Sequence, residues 1–503
     1  MSVTRALRAK ATLVAIGVVV VALGMSSCGG SSSTSQVPPA TNSVPSLISF
    51  SPFNATAGGA AFSLTLTGSG FAPNATVKWN GNALATTFVN KNQLTAQVTA
   101  DDIATAGIAQ ITVSNPAPGG GVSNVFRFGV NPASPPASFL YVGNVSGGLS
   151  KPNTISEYGI DPNSGTLTAL AGSPFTLPNT DGADLGPMGM DRLDKFLYVA
   201  DGPFPNTSPT CQSCTTFAGF TPTSSGDLAP LAGSPLFTQV PTAFVGDPTG
   251  NILYESGGPG ASQSSDIVTM LVDGDTGGLT PIADSPGFDV FMSMALNPAG
   301  TFLYGAGNTN SPTGSGIWTG SINPQTGNVL LVATPKTQGG LGVVSLAVHP
   351  SGKFLFAVSF SYTALWSYAI NPTTGALTLL NSIQYNSFPT SLTDVVVHPS
   401  GQFLYVSDWG DSSVMGFSID GNGNLTPVPG SPFASGGFNP LFLAMDPAGK
   451  FLYAANSSES AYNGDVAGFT VDGTSGALTP MTGSPFPAGT FPGPIVVAPL
   501  TFH

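Results

Sequence analysis

The sequence predicts an all-β protein, and three observations support that fold class. The chain has 503 residues, of which only 7% are charged, while 64 Gly and 45 Pro interrupt it at short intervals. This composition favours many short strands joined by turns over long helices. One apolar phrase also recurs seven times from residue 139 to residue 453, and a segment of alternating apolar and polar residues precedes it. Together these features predict a seven-bladed β-propeller with an N-terminal immunoglobulin-like β-sandwich.

Residues 1–28 have the pattern of a signal peptide. A basic start is followed by an apolar run, Leu13 to Leu23, that is short for a membrane span, and then by Met25-Ser26-Ser27-Cys28. These last residues resemble the lipobox of bacterial lipoproteins, which implies that Cys28 is lipidated; the alternative is an ordinary signal peptide with an incidental Cys. With Gly29 after the Cys, the resemblance implies an outer-membrane anchor. We therefore expect an extracytoplasmic protein that is lipid-anchored to the cell envelope.

Two segments separate this signal from the repeats. Residues 29–46 are rich in Ser and Pro and poor in apolar side chains, which predicts a flexible linker. Residues 47–131 alternate as half-buried strands do, and the stretches from Gly68 to Phe71, Val77 to Gly81 and Gly119 to Asn124 resemble the IPT/TIG immunoglobulin-like domain. Asn80-Gly81 predicts a tight hairpin, and Trp79 is interpreted as a core residue rather than a ligand-stacking one.

The repeats occupy residues 138–503. Successive copies begin 48 to 57 residues apart, at Phe139, Phe196, Ile252, Phe302, Phe354, Phe403 and Phe451. Each unit divides into an apolar strand A that ends in a turn, the FLY strand B, a strand C, and a strand D that begins with Gly-x-Leu. Four antiparallel strands per unit and seven units close a ring without long exposed edges.

The two ends of the repeat region complement each other. The first unit starts at its B strand, and the chain ends in an orphan strand, Pro494 to Pro499. We predict that this last strand supplies the missing strand A of blade 1 and closes the ring.

The FLYV strands, the HPSG turns and the GSPF segments, such as Gly430 to Phe433, resemble the lactonase-type, YVTN-containing seven-bladed propellers. That family includes bacterial 6-phosphogluconolactonases, so the resemblance implies hydrolysis of a sugar lactone. It also implies a Pro-Arg-His phrase and an Asn-Glu pair in catalytic members. The equivalent stretches here read Asn439-Pro440-Leu441 and Tyr405 to Asp408, which argues against lactonase activity.

The charged residues restrict the partners and the chemistry. A formal net charge of −13 with 12 Lys and Arg argues against nucleic acid as a partner. Lactone hydrolysis needs a base and a cradle for the developing oxyanion. His349 and His398 occupy equivalent turn positions and are interpreted as turn caps. Four of the six propeller cations lie near A-to-B turns, opposite the expected ligand face, and only Lys151 and Lys336 remain for that face. No cofactor is indicated.

Cys211-Gln212-Ser213-Cys214 lies in the longest predicted loop. A local disulfide in an oxidising compartment is the favoured interpretation, with a redox-active dithiol as the alternative. A metal site would need a second Cys or His pair, which the sequence does not provide nearby.

A polar and aromatic set remains for the expected ligand face: Asp394, Asp408, Trp409, Asp411 and Glu255. These residues are either solvated loop residues or a ligand site. In the second case Trp409 would stack on a sugar ring and the carboxylates would accept hydrogen bonds from its hydroxyl groups.

The leading hypothesis is a surface-anchored, non-catalytic binding or scaffolding lipoprotein, with carbohydrate or another envelope protein as the partner. The alternative is a divergent sugar-lactone hydrolase that uses an unrecognised carboxylate.

Overall fold

The computed structural model describes residues 42–52, 54–105, 107–131, 138–146, 151–177, 185–191, 193–201, 216–236, 241–248, 250–256, 265–288, 291–307, 316–323, 326–332, 342–385, 390–457 and 463–499. Over these ranges the secondary structure consists of strands, β1 to β41, without a helix. The same ranges accordingly contain no helical segment suited to spanning a membrane.

The first ten strands form the predicted sandwich. One sheet has the order β1-β3-β7-β6 and the other β2-β10-β8-β4-β5, with β9 paired to β8. Their bounds are β1 Ser46–Ser51, β2 Asn54–Thr56, β3 Phe62–Ser69, β4 Thr76–Trp79, β5 Asn82–Ala83, β6 Ala85–Asn90, β7 Gln93–Val98, β8 Gly107–Asn115, β9 Gly121–Val122 and β10 Phe126–Asn131. Asn80 and Gly81 have positive φ angles and form the hairpin between β4 and β5. Trp79 is buried against Phe128, so its interpretation as a core residue is confirmed.

Residues 42–46, at the end of the predicted linker, pair with the sandwich. The backbone N–H of Asn42 donates to the carbonyl of Pro118, and the N–H of Gly120 donates to the carbonyl of Asn42. The Asn115 side chain also donates to the carbonyl of Ser43. Backbone pairing, which sequence composition does not reveal, therefore joins residues 42–46 to the sandwich.

The remaining strands form seven sheets, one for each blade. In the order A to D the blades are β41-β11-β12-β13, β15-β16-β17-β18, β19-β20-β21-β22, β23-β24-β25-β26, β27-β28-β29-β30, β31-β32-β33-β34 and β36-β37-β38-β39. Short strands β14, β35 and β40 pair with the C strands of blades 1, 6 and 7.

The blade strands have the following bounds: β11 Ser138–Asn144, β12 Thr154–Ile160, β13 Leu167–Ala169, β14 Phe175–Thr176, β15 Leu185–Met190, β16 Leu197–Asp201, β17 Thr216–Pro222, β18 Leu228–Pro230, β19 Ala243–Gly246, β20 Ile252–Ser256, β21 Ser265–Val272, β22 Leu279–Phe288, β23 Phe291–Leu296, β24 Phe302–Gly307, β25 Ile317–Ile322, β26 Val329–Leu331, β27 Val343–Val348, β28 Phe354–Ser359, β29 Ala364–Ile370, β30 Leu377–Gln384, β31 Leu392–Val397, β32 Phe403–Asp408, β33 Ser413–Ile419, β34 Leu425–Pro427, β35 Phe433–Ala434, β36 Pro440–Met445, β37 Phe451–Asn456, β38 Asn463–Val471, β39 Leu478–Pro480, β40 Phe486–Thr490 and β41 Pro492–Pro499.

The ring closes as predicted. Strand β41 pairs antiparallel with β11, with Val496 opposite Tyr141, and thus becomes strand A of blade 1. The seven A strands contact one another in an unbroken cycle, in which β41 touches both β36 of blade 7 and β15 of blade 2. The terminal strand therefore joins the last blade to the first, and β11 keeps no unpaired inner edge.

The FLY phrase binds each blade to the next one. Its Leu is fully buried in all seven copies. In five blades the Tyr hydroxyl donates to the carbonyl of a Gly in the C-to-D turn of the following blade: Tyr141 to Gly226 (2.7 Å), Tyr198 to Gly277 (2.8 Å), Tyr304 to Gly375 (3.2 Å), Tyr405 to Gly476 (2.8 Å) and Tyr453 to Gly165 (2.6 Å). We call this hydrogen bond the interblade clasp.

The other two blades make the same clasp from a different strand. In blade 5 the FLY phrase has Phe356 instead of Tyr, and Ser367, directly opposite on strand C, donates to Gly423 at 2.6 Å. In blade 3 Thr269, opposite Tyr254, donates to Gly327 at 2.9 Å. All seven junctions therefore satisfy the turn carbonyl with a hydroxyl.

The first Phe of the FLY phrase explains why these turn residues are glycine. Gly476 has a φ of 73°, and a Cβ there would lie 2.4 Å from the Phe403 ring. Gly375 stands in the same relation to Phe302, with a φ of 70°. Only glycine combines this backbone conformation with the close approach of the ring.

The two HPSG histidines cap their turns, as interpreted from the sequence, and also reach the next blade. The ring Nδ1 of His349 accepts the backbone N–H of Ser351 at 3.0 Å, so Nε2 carries the proton and donates to the carbonyl of Gly401 at 2.8 Å. His398 does the same with Ser400 and with Gly449 at 2.9 Å. Both nitrogens of each imidazole ring are therefore used in hydrogen bonds that stabilise the fold.

The sandwich contacts the end of the propeller that carries the A-to-B and C-to-D turns. Arg127 of β10 forms an ion pair with Asp275, in the C-to-D turn of blade 3. Its guanidinium lies so close to Gly274 that a Cβ at that position would overlap it. Lys195, in the A-to-B turn of blade 2, donates to the carbonyl of Gly274 at 2.7 Å.

Candidate functional site on the upper face

The strand order divides the propeller into two faces. Because neighbouring strands are antiparallel, the A-to-B and C-to-D turns lie at one end of every blade, which we call the lower face. The B-to-C loops and the D-to-A connections lie at the other end, the upper face. The sandwich, the clasps and the HPSG turns belong to the lower face. The candidate residues Trp409 and Asp411 belong to the upper face.

Six of the seven B strands end at the upper face in a buried polar residue. These residues are Asn144, Asp201, Ser256, Ser359, Asp408 and Asn456. Several of them accept hydrogen bonds from backbone N–H groups: Asn144 from Gly489, Ser256 from Phe291 and Ser359 from Tyr362. These three side chains therefore hold neighbouring backbone at the upper ends of their B strands.

Asp408 shapes the loop of blade 6. Its side chain is fully buried, and Oδ1 accepts the backbone N–H groups of Ser391, Gly410 and Asp411 at 2.8, 3.1 and 3.2 Å. Burial raises the pKa of this carboxyl group. Asp408 is one of the candidate ligand residues of the sequence analysis, and in the structure its Oδ1 binds the turn that presents Trp409 and Asp411.

Two polar atoms beneath this turn have no hydrogen-bond partner among the described residues. They are Oδ2 of Asp408 and Oγ of Ser413, two residues that are register partners in β32 and β33. Nearby, burial and the charge of Asp408 raise the pKa of Tyr385 to about 12. The junction of blades 5 and 6 thus contains an unsatisfied polar group under its loops.

Trp409 pairs with an aromatic residue that the sequence analysis missed. The Phe360 ring, in the B-to-C loop of blade 5, lies 6.2 Å from the Trp409 ring at an interplanar angle of 62°. Phe360 is 42% exposed, and Tyr362 of the same loop is 45% exposed. One signal was available: Phe360 and Trp409 stand at the same offset from the first residue of the FLY phrase, Phe354 and Phe403. We call Phe360 and Trp409 the aromatic corner.

Asp411 is the exposed acid beside this corner. Its Oδ2 accepts the hydroxyl of Thr390 at 3.0 Å, and its N–H is held by Asp408. The side chain is exposed, unlike that of Asp408. Of the two acids that flank Trp409, Asp411 is therefore the one that a ligand could reach.

Asp394 lies on the inner ring of A strands, as expected, but its oxygens are occupied. Oδ1 accepts the hydroxyl of Ser345 at 2.6 Å and the N–H of Val395 at 2.9 Å, and Oδ2 accepts the N–H of Leu443 at 2.8 Å. Burial raises its pKa to about 6. The carboxyl group therefore connects the A strands of blades 5, 6 and 7.

Glu255 lies apart from these residues, on β20 of blade 3, opposite Phe244. Burial raises its pKa to about 7. The structure therefore brings Trp409, Asp411 and Asp408 together, with Asp394 on the same blade, and leaves Glu255 three blades away.

The predicted modification sites Cys28, Cys211 and Cys214 lie outside the described residues. Within the described ranges, no group of three or more His, Cys, Asp or Glu residues is arranged to hold a metal ion.

Comparisons with known families agree with both family resemblances. Residues 45–128 match the IPT/TIG domain family, and residues 254–389 and 363–491 match the family Lactonase, 7-bladed beta-propeller. No curated protein matches the sequence.

Solved structures share the propeller. A periplasmic gluconolactonase from Pseudomonas aeruginosa has 17% identity and a TM-score of 0.55, over 72% of this chain and 99% of that one. A Bacteroides fragilis protein, provisionally named a 6-phosphogluconolactonase, has 18% identity and a TM-score of 0.55, over 73% and 99%. At these identities the likeness shows the fold alone.

Proposed function

The chain combines an IPT/TIG domain with a seven-bladed propeller of the lactonase family, and on that premise we propose that it is a surface-anchored, non-catalytic binding protein. Its ligand occupies the upper face of blades 5 and 6. The observation that carries this proposal is the aromatic corner of Phe360 and Trp409 beside the exposed carboxylate of Asp411. Aromatic faces next to a hydrogen-bond acceptor suit a sugar ring, which offers an apolar face and hydroxyl donors.

The chemistry of the described residues favours binding over hydrolysis. Lactone hydrolysis needs an available base together with donors for the oxyanion. Asp394 already accepts three hydrogen bonds, and the rings of His349 and His398 are engaged in lower-face turns. These groups would have to leave structural bonds before they could act on a substrate.

Calorimetry with a panel of neutral oligosaccharides tests the binding role. We expect binding by the wild-type protein and at least a tenfold loss in Trp409→Ala, since truncation of an anchoring aromatic residue costs about 2 kcal/mol or more. Leu330→Ala removes a 56% exposed apolar side chain from the outer strand of blade 4 and serves as the control. Equal affinities of wild type and Trp409→Ala would refute the proposal.

A divergent lactone hydrolase remains the second candidate because one observation favours it. Burial holds the pKa of Asp394 at about 6, in the range suited to a general base. Turnover of any sugar lactone by the purified protein, lost in Asp394→Asn while the fold is retained, would reverse the ranking.

The proposed location is the cell envelope, through a lipid on Cys28. The sandwich follows this residue in the chain and contacts the lower face through Arg127 and Asp275, which leaves the upper face on the far side of the propeller. Labelled fatty acid should be incorporated into the wild-type protein and not into Cys28→Ser. Pull-down from intact membranes would identify a protein partner, if the upper face serves as a scaffold.

A further inference from the structure

The aromatic corner differs from a simple stacking platform. Its two rings meet edge to face, at 62° with their centroids 6.2 Å apart, and do not lie parallel to each other. Tyr362, 45% exposed, lies two residues from Phe360 in the same loop. Aromatic faces carry negative electrostatic potential, and several faces around one point favour a cation over a neutral group.

Among the described residues, the charged side chains around the corner are acidic; Lys336, in the D-to-A connection before blade 5, lies outside these residues. Asp411 is exposed beside Trp409, and Asp408 lies beneath it. The described residues of blades 5 to 7 place their lysines, Lys353 and Lys450, in A-to-B turns of the lower face, and none on the upper face. The two carboxylates therefore have no neighbouring positive side chain within this part of the chain.

A buried atom supports the same conclusion independently. Oδ2 of Asp408 is inaccessible to solvent and has no hydrogen-bond partner. The negative charge of Asp411 also repels this carboxyl group when it is ionised. A buried carboxylate oxygen without a donor is costly, and a nearby positive charge lowers that cost.

We propose that the ligand presents a protonated amine to this site, with the ammonium group against the Asp411 carboxylate and over an aromatic face of the corner formed by Phe360 and Trp409. The proposal rests on the binding function argued above and specifies its ligand class. An anionic ligand, such as a phosphorylated sugar lactone, would be repelled by the same two carboxylates. Asp408 acts as a positioning residue because its Oδ1 fixes the turn that carries Trp409 and Asp411.

Matched sugars test the amine directly. Calorimetry at neutral pH would compare a tetramer of glucosamine with a tetramer of N-acetylglucosamine, which share their rings and linkages and differ in charge. We expect the wild-type protein to bind the amine form about tenfold more tightly. This is the gain expected when an ammonium group contacts both an aromatic face and a carboxylate. The preference should shrink as salt concentration rises.

Variants separate this proposal from the binding function. Asp411→Asn should abolish the preference for the amine form and retain the lower affinity that comes from stacking alone. Trp409→Ala should lower the affinity for both tetramers. Asp284→Asn removes the same charge from an exposed position on the outer strand of blade 3 and should change neither affinity.

Three outcomes would overturn the proposal. Equal, Trp409-dependent affinities for the two tetramers would leave the binding function intact and remove the amine. A preference that survives Asp411→Asn would place the amine elsewhere. Absence of binding by the glucosamine tetramer, while a neutral oligosaccharide binds in a Trp409-dependent way, would also refute the amine and not the function.

Discussion

The lower and upper faces of the propeller follow opposite rules. On the lower face the same contact recurs at all seven junctions: a hydroxyl from one blade donates to a glycine carbonyl of the next. On the upper face the B-to-C loops differ in length and sequence, and among the described residues the aromatic corner is found at the junction of blades 5 and 6. Repetition therefore marks what closes the ring, and departure from repetition marks where a specific ligand can be recognised.

The clasp shows that a contact can persist while its residue changes. Phe356 removes the Tyr hydroxyl from blade 5, and Ser367, its cross-strand partner, supplies another to the same kind of carbonyl. The carbonyl of a buried turn needs a donor, and the identity of the donor matters less than its position.

The largest effect should come from breaking the ring. Truncation after Phe491 removes β41, including Ile495 and Ala498, which pack at the junctions of blade 1 with blades 7 and 2. It also exposes the inner edge of β11. We expect the truncated protein to lose its cooperative unfolding transition, as measured by calorimetry. We also expect it to self-associate, as measured by size-exclusion chromatography. Deletion of residues 500–503 leaves β41 in place and is the control; a cooperative, monomeric protein after the longer truncation would contradict ring closure.

Removal of a single clasp should have a smaller, measurable effect. Tyr405→Phe leaves the buried carbonyl of Gly476 without its donor, and we expect a loss of about 1–3 kcal/mol in the free energy of unfolding, measured by denaturant titration. Ser367→Gly should cost a similar amount in blade 5.

Blade 5 also allows a rescue. Phe356→Tyr in the Ser367→Gly background recreates the pair found in blade 6, where Tyr405 faces Gly416. It should restore most of the lost stability. If the double variant is no more stable than Ser367→Gly, the hydroxyl is not the reason for the residue pattern.

The Asp394 carboxyl group should make stability depend on pH. Its pKa is raised from 3.8 to about 6 in the folded protein, so folding favours the protonated form. The stability that this raised pKa contributes to the folded protein is fully present below about pH 4 and is lost as the pH rises through 6. Asp394→Asn should remove this component from the pH profile of the melting temperature. Glu255 and Glu157 have pKa values of about 7, so they also make the protein less stable as the pH rises. Both residues are present in the wild type and in the variant.

The smallest effect on stability should come from Asp411. Asp411→Asn keeps an oxygen for Thr390 and lies on the exposed side of the loop, so the free energy of unfolding should change by less than about 0.5 kcal/mol. Denaturant titration checks this. A loss as large as that of Tyr405→Phe would mean that Asp411 serves the fold, and the contrast between the two faces would fail.

Much of the fold could be predicted because the repeats report it directly. The FLY phrases indicate the seven B strands, and the missing first A strand with the extra last strand predicts the closure by β41. The candidate site was predictable only in part. Trp409 and Asp411 stand out as non-repeated residues, but Phe360 belongs to another blade, and its distance from Trp409 depends on how two loops pack.

The sequence by itself determined the number of blades, their strands and the strand that closes the ring, because these follow from period and alternation along one chain. Tertiary structure alone decided the roles of the individual polar residues. Asp408 and Asp411 stand three positions apart, yet one is buried beneath its turn and the other is exposed. Their difference arises from backbone N–H groups that only the folded loop brings to one carboxylate oxygen.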